Sequence, residues 1–273
     1  MIIAVASGKG GTGKTTLATS LALSLENELT FLDCDVEEPN ANFFLRVQVA
    51  RKEEVSIPVP VVDHSRCDLC GRCSGVCVYN AIAVLPERVL VFEELCHGCG
   101  SCVFLCPKRA IVEKERMIGV IEAGSRGAIE FIQGRLNIKE PMATPLIRRM
   151  KRLVRKDRIT IIDAPPGVSC PVIESVKGSD YTILVTEPTP FGLYDLKLAV
   201  AMLEELGIPH GIVINRDGIG DDSILQFARE KGISILASIP YDPEIAKVYA
   251  RGGSLLNIMG LKDAVRKIFS EIL

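Results

Sequence analysis

The sequence predicts a doubly wound α/β fold with a mostly parallel sheet, interrupted by a small cysteine-rich segment. Short, nearly continuous apolar runs alternate with longer helical patterns, as strands covered on both faces by helices must. A repeat of cysteines with a period of 29 residues breaks that rhythm midway through the chain. At 273 residues and 48% hydrophobic content, the chain can bury one large core plus a satellite domain, which excludes disorder and fibrous repeats.

Taken in order, the strands are expected at Ile2–Ala6, Leu29–Asp33, Ile159–Asp163, Thr182–Thr186, Gly211–Asn215 and Ile235–Ile239. Helices are expected at Lys14–Asn27, Pro145–Lys156, Gly192–Leu206, Asp222–Lys231 and Lys262–Ile272. Leu29–Asp33 finds its neighbour at Ile159–Asp163, so the segment between reads as an insertion. The expected division is 1–56, an inserted domain at 57–117, and 118–273. The last helix carries apolar residues at 261, 265, 268, 269 and 272 among mixed charges. That pattern suits packing on the sheet better than a membrane anchor.

Thirty-two Lys and Arg face 34 Asp and Glu, a net charge of -2, which argues against a broad nucleic-acid face. There is no apolar run of membrane-spanning length and no charged region ahead of the first apolar stretch, so a cytoplasmic chain without stable membrane insertion is expected.

Eight of the ten cysteines fall between Cys67 and Cys106; Cys34 and Cys170 stand apart. Clustering at short spacings without an export signal points to metal rather than disulfides. Cys67, Cys70, Cys73, Cys77, Ala81 and Ile82 recur as Cys96, Cys99, Cys102, Cys106, Ala110 and Ile111, and Gly71 recurs as Gly100. Soft thiolates suit iron–sulfur clusters or zinc, but zinc usually takes two C-x2-C pairs. Two frames of C-x2-C-x2-C-x3-C resemble the bacterial two-cluster ferredoxins, in which the fourth cysteine of each frame serves the other cluster.

That resemblance implies a small α+β domain with two [4Fe–4S] clusters. Cys67, Cys70, Cys73 and Cys106 would hold one; Cys96, Cys99, Cys102 and Cys77 would hold the other. The first frame departs from the pattern, with Val78 after Cys77 where Pro107 follows Cys106. Gly71, Gly75, Gly98 and Gly100 would let backbone N–H groups approach the sulfides. Tyr79 and Phe104 are expected to pack beside the clusters, and His97 to face solvent.

Gly8-Lys9-Gly10-Gly11-Thr12-Gly13-Lys14-Thr15, followed by Thr16, satisfies G-x-x-x-x-G-K-[ST] between a strand and a helix. Such a loop wraps phosphates with its N–H groups at a helix N-terminus. Lys14 is expected on the β/γ-phosphates of ATP or ADP, and Thr15 on Mg2+. The extra Lys9 makes the loop resemble the deviant Walker A of MinD/ParA-type ATPases, a class that includes the nitrogenase iron protein. The resemblance covers 1–56 and roughly 118–273. It implies that the protein is a Mg-dependent ATPase, as a homodimer or as a heterodimer with a similar ATPase in the ATP state. Lys9 would then reach the partner's phosphates.

By the same resemblance, Asp35 in Asp33-Cys34-Asp35 positions the attacking water, and Asp33 supports the magnesium shell. Asp163 in Asp163-Ala164-Pro165-Pro166-Gly167 lies near the Mg2+ waters. Asn215 reads the adenine, and Pro240 and Asp242 close over the base. The stretch from Thr186 to Leu198 is similar to that of MinD-like ATPases with a two-cluster ferredoxin insert, a group linked to metallocofactor assembly.

Three uses of ATP stay open: redox-linked metallocofactor assembly with a partner protein, gated electron transfer to a partner, and redox-sensing spatial positioning. Cys170 lies seven residues after Asp163, at the offset of a cluster-ligating cysteine in the nitrogenase iron protein. It is read either as a small buried thiol under the loop or as a metal or redox group at a dimer axis.

Overall fold

In the computed structural model, which describes residues 1–25, 27–258 and 261–272, the chain alternates between strand and helix almost throughout. The elements in order are β1 (Ile2–Ala6), α1 (Lys14–Ser24), β2 (Leu29–Asp33), α2 (Ala41–Leu45), β3 (Gln48–Val62), α3 (Arg72–Val76), β4 (Ile82–Val84) and β5 (Val89–Val91). There follow α4 (Ser101–Phe104), β6 (Ile111–Arg126), β7 (Ile129–Leu136), α5 (Ala143–Lys151), β8 (Ile159–Asp163), α6 (Cys170–Val176) and β9 (Tyr181–Thr186). The chain closes with α7 (Pro190–Glu205), β10 (His210–Asp217), α8 (Ser223–Lys231), β11 (Ile235–Pro240), α9 (Pro243–Ala250) and α10 (Leu261–Ile272).

Among the described residues the main sheet runs β11-β10-β9-β1-β8-β2-β7-β6-β3. From β11 to β7 every neighbouring pair is parallel. The two-residue Gly127–Ala128 turn makes β6 antiparallel to β7. β1 lies between β8 and β9, far from its successor β2 in neither space nor pattern but separated from it by β8. Crevices at the carboxyl ends of parallel strands near such a reversal are where open α/β sheets bind ligands.

Two compact units emerge. The first comprises Met1–Glu53, Ile121–Arg135 and Ile147–Leu273; the second comprises Glu54–Val120 and Leu136–Leu146. The second therefore takes in 136–146, which the sequence placed with the closing part of the ATPase. Its tethers are the Arg116–Glu140 ion pair and the Asn137 N–H donated to the Ile118 carbonyl at 2.9 Å.

The core of the first unit packs Ile3, Val5, Phe31, Phe131, Ile161 and Ile183 from the strands against Leu17 and Leu21 of α1. Val265, Ile268 and Phe269 of α10 join that core, so the apolar stripe of this helix is spent on packing. No helix among the described residues is long and apolar enough to cross a membrane. α1 stops at Ser24, short of the expected Asn27, because Leu25 turns extended at ψ 135°; Glu26 lies outside the described residues. α5 ends at Lys151 rather than Lys156, where the Leu153 and Val154 N–H groups shift to carbonyls three residues back.

In the second unit the 29-residue repeat is also a repeat of backbone conformation. Leu69 and Gly98, Gly71 and Gly100, and Asn80 and Arg109 all have positive φ, between 50° and 78°. Gly71 and Gly100 each open a single-turn helix, α3 and α4. Between the frames, β4 and β5 form a small antiparallel pair. Around the frames, Ile82, Val89, Cys102 and Ile111 form a small buried cluster with further cysteines half-buried against it, and Val59, Ile118 and Leu146 are fully buried elsewhere in the unit.

Phe31 and Phe131 stack with ring centroids 6.0 Å apart at the β2–β7 pairing, and both are fully buried. Phe131→Ala should cost about 3–5 kcal/mol in denaturant unfolding of the first unit; a loss below about 1 kcal/mol would mean that β7 does not belong to this core.

Candidate functional site

The loop between β1 and α1 is shaped by two close constraints. A Cβ on Gly8 would lie 2.2 Å from the Asp195 carbonyl oxygen, and one on Gly13 would lie 2.5 Å from the Asn215 Nδ2 at φ 93°. Glycine is needed at both. Helix geometry leaves the first N–H groups of α1 without internal partners, directed at the space in front of the loop. Lys14, the first residue of α1, is buried. Burial lowers its ammonium pKa, while Asp163 and Asp35 counter that by favouring the charged form.

That space is an open cleft of about 460 Å3, lined by Gly10, Gly11, Gly13, Lys14, Thr15 and Thr16 on the loop side. Asp35, Asn215, Pro240 and Asp242 line it too. The structure thus brings together around one cavity residues spread from position 10 to position 242. Asp242 is also the N-cap of α9, accepting the Glu244 N–H at 2.8 Å. Asn215 donates through Nδ2 to the Thr12 carbonyl at 2.7 Å and accepts the Arg216 N–H at 2.9 Å, so its amide braces the loop from the cleft wall.

Asp33 and Asp163 lie behind the cleft. They are register partners at the ends of β2 and β8, and both are fully buried. Burial raises both carboxyl pKa values; the Asp163 charge raises that of Asp33 further, while the Thr15 hydroxyl and Lys14 counter the rise at Asp163 and Asp35 adds to it. Their hydrogen bonding differs. Asp33 accepts N–H groups from Asp35 at 3.1 Å, Asn40 at 3.1 Å and Ala41 at 3.0 Å, clamping the loop that carries Asp35. Both oxygens of Asp163 are buried without a hydrogen-bond partner. Orphaned acceptors of this kind, near Thr15 and Lys14, fit a hydrated cation such as Mg2+.

Lys9 and Gly8 do not line the cleft. Lys9 is ion-paired within its own chain to Glu187, which follows β9, and the other oxygen of Glu187 accepts from Arg216 at 2.8 Å. Arg216 also donates to the Gly11 carbonyl at 3.2 Å. The Lys9–Glu187–Arg216 bridge was not foreseen. No local signal marks it, since Lys9 and Glu187 are 178 residues apart and Arg216 lies within β10.

In the second unit the eight frame cysteines divide between two hollows. Cys67, Cys70, Cys73 and Cys106 line one; Cys77, Cys96, Cys99 and Cys102 line the other. Each hollow therefore takes three cysteines from one frame and the fourth from the other. Backbone N–H groups point at the sulfurs, from Ala81 to Cys77 at 3.3 Å, from Ala110 to Cys106 at 3.2 Å and from Gly98 to Cys96 at 3.4 Å. The first two again repeat at 29 residues. Among the described residues, no three His, Cys, Asp or Glu groups converge on the position of a single metal ion; the thiols frame hollows instead.

His97 is exposed and stacks on Tyr79 at 3.5 Å between centroids. Phe104 is 88% exposed, not packed as expected, because its single-turn helix turns Cys102 inward instead. Cys34 is buried, and burial pushes its thiol pKa upward. Cys170 is exposed as the first residue of α6, which corrects the expectation of a thiol packed under the loop.

A phosphate-type loop on β1–α1 at the sheet reversal, with buried acids at the neighbouring strand ends, defines a P-loop nucleotide-binding α/β protein. The chain belongs to the CobQ/CobB/MinD/ParA nucleotide-binding-domain family, whose model matches residues 3–255. It is 33% identical to an uncharacterised protein of Methanocaldococcus jannaschii, over 100% of this chain and 98% of that one. It is 26% identical to an iron–sulfur cluster carrier protein of Pyrococcus horikoshii, over 88% of this chain and 74% of that one. Among solved structures, the septum site-determining protein MinD of Pyrococcus horikoshii, complexed with Mg-ADP, shares the fold. That match has a TM-score of 0.60 and 19% identity, covering 99% of this chain and 95% of that one.

Removing Glu187 would leave Lys9 and Arg216 as like charges without their shared counter-ion. Glu187→Ala should therefore destabilise the nucleotide-free protein by about 1–3 kcal/mol in urea unfolding, and Glu187→Gln by less. Equal stability of Glu187→Ala and the parent protein would show that the bridge contributes nothing.

Proposed function

We propose that this protein is a Mg-dependent ATPase carrying two [4Fe–4S] clusters in an inserted ferredoxin-like domain, coupling a nucleotide-dependent dimer switch to redox-linked metallocofactor assembly. The observation that carries this reading is the division of eight cysteines between two hollows, three from one frame and one from the other in each. A thiol-framed hollow with N–H groups aimed at the sulfurs suits a polynuclear iron–sulfur centre better than a single zinc ion. A relative named as an iron–sulfur cluster carrier supports the assembly role.

In this reading the N–H groups of the loop and Lys14 hold the β- and γ-phosphates of ATP. Thr15 and Asp163 hold Mg2+, the latter through water, and Asp33 keeps the Asp35 loop in place from behind. Mg2+ would supply neutralisation of phosphate charge, and Asp35 would orient the attacking water. Lys9 leaves Glu187 to meet the phosphates of a second subunit, while Arg216 stays behind to neutralise the vacated carboxylate. The eight frame cysteines hold the clusters, which would supply one-electron redox capacity.

Gated delivery of electrons to a partner is a second reading, favoured by four cysteines at each hollow, since a full ligand set suits a resident centre rather than transferable cargo. The sensing and positioning role has no observation of its own behind it.

Anaerobically purified protein should contain about eight iron and eight acid-labile sulfide per chain, and Asp35→Asn should slow ATP hydrolysis while ATP-bound dimer accumulates in size-exclusion chromatography. Tightly bound zinc with little sulfide would overturn the cluster reading. Unchanged turnover in Asp35→Asn would overturn the assignment of the water-positioning acid.

A further inference from the structure

The two hollows differ in the charge around them. Arg72 and Lys108 line the one built from Cys67, Cys70, Cys73 and Cys106, with Asp68 as its single acid. Arg66 extends the patch, reaching the Lys108 carbonyl at 3.4 Å. These cations are poorly compensated. Lys108 is 4.0 Å from Asp68 with both side chains open to solvent, and Arg66 and Arg72 have no ion pair among the described residues. Cys70, on the wall of this hollow, is itself exposed.

The other hollow has no Lys or Arg in its wall. Glu113 is its charged residue, alongside Pro58, Pro60 and the Tyr79–His97 stack, and two of its four cysteines are buried. Each hollow has one exposed cysteine, Cys70 in the first and Cys99 in the second, so the difference between them is the charge in the wall, basic in one and acidic in the other.

We propose that the basic rim at Arg66, Arg72 and Lys108 is the docking surface for a small acidic electron-carrier protein. The inference rests on the cluster reading above and adds to it the partner's charge and the hollow it meets. Redox encounter complexes bury little surface, so charge complementarity does most of the selecting and steering. A rim of weakly compensated cations draws an acidic face to this hollow rather than to the one walled by Glu113. One electron then leaves the reduced carrier and enters the cluster held by Cys67, Cys70, Cys73 and Cys106, with no bond made and no proton or group moved. The carboxylate at the other hollow repels the same partner, so docking is one-sided.

The test uses the cluster-loaded full chain and a reduced acidic flavodoxin as probe, with affinity read by calorimetry and electron-transfer rate by stopped flow. The affinity should fall as salt rises from about 50 to about 200 mM, as screening of exposed charges requires. The paired variant Arg72→Glu and Lys108→Glu should weaken binding by at least about tenfold and slow transfer in step. Arg72→Gln with Lys108→Gln should fall between, and Glu113→Lys should bind no more weakly than the parent.

Absence of binding by the parent protein, salt-independent binding, or a larger loss in Glu113→Lys would overturn the proposal. So would equal or tighter binding of a duplex DNA oligonucleotide, which would assign the patch to nucleic acid. Iron and sulfide contents separate the two claims: failure of docking in protein holding about eight of each refutes the surface alone, whereas protein that takes up neither refutes the cluster reading beneath it.

Discussion

Two carboxylates buried side by side impose the central constraint on the first unit. The parallel register of β2 and β8 sets Asp33 opposite Asp163, both fully inside the protein. Burying an anion is costly unless hydrogen bonds or an opposite charge compensate it. Three backbone N–H groups compensate Asp33, and making those bonds folds the chain from Cys34 to Ala41 into a fixed loop. Asp163 has no backbone N–H partners, and its compensation comes from the cleft side, through the Thr15 hydroxyl, Lys14 and whatever cation the cleft admits. The loop, the lysine and the site for a cation thus follow from one pair of strands in one register.

The second unit answers a different constraint. Its buried cluster between the frames is four residues, one of them a cysteine, and the two frames trace the same backbone with positive φ at matching positions. The stretch between the frames has little apolar burial of its own with which to offset chain entropy. What it has is eight thiols framing two hollows, with amide N–H groups already directed at sulfur. The chain enters this unit through β3, which follows α2 and the Asp33 loop, and leaves through β6 into β7, the neighbour of β2.

Much of this was legible in the sequence because the signals were local. The buried parallel strands read as apolar runs, and Ile2–Ala6, Leu29–Asp33 and Ile159–Asp163 have the bounds that the pattern predicts. The glycine loop is contiguous, and the cysteine frames announce their own repeat. β3 and β6 were illegible because charge runs such as Arg51-Lys52-Glu53-Glu54 and Glu113-Lys114-Glu115-Arg116 hide alternation on strands with exposed stretches. The Lys9–Glu187 pair joins residues 178 apart, and nothing local marks it. The hold of Asp33 on main-chain N–H groups was not legible either, because it depends on where residues 40 and 41 return.

The central claim is that the nucleotide at the cleft governs the redox centres held by the cysteines. An EPR-monitored redox titration of the cluster-loaded chain, with and without Mg-ATP, tests it most directly. The account predicts that Mg-ATP displaces at least one midpoint potential in the parent protein and leaves Lys14→Ala unaffected. Superimposable titrations with and without nucleotide, in protein shown to bind ATP, would contradict it.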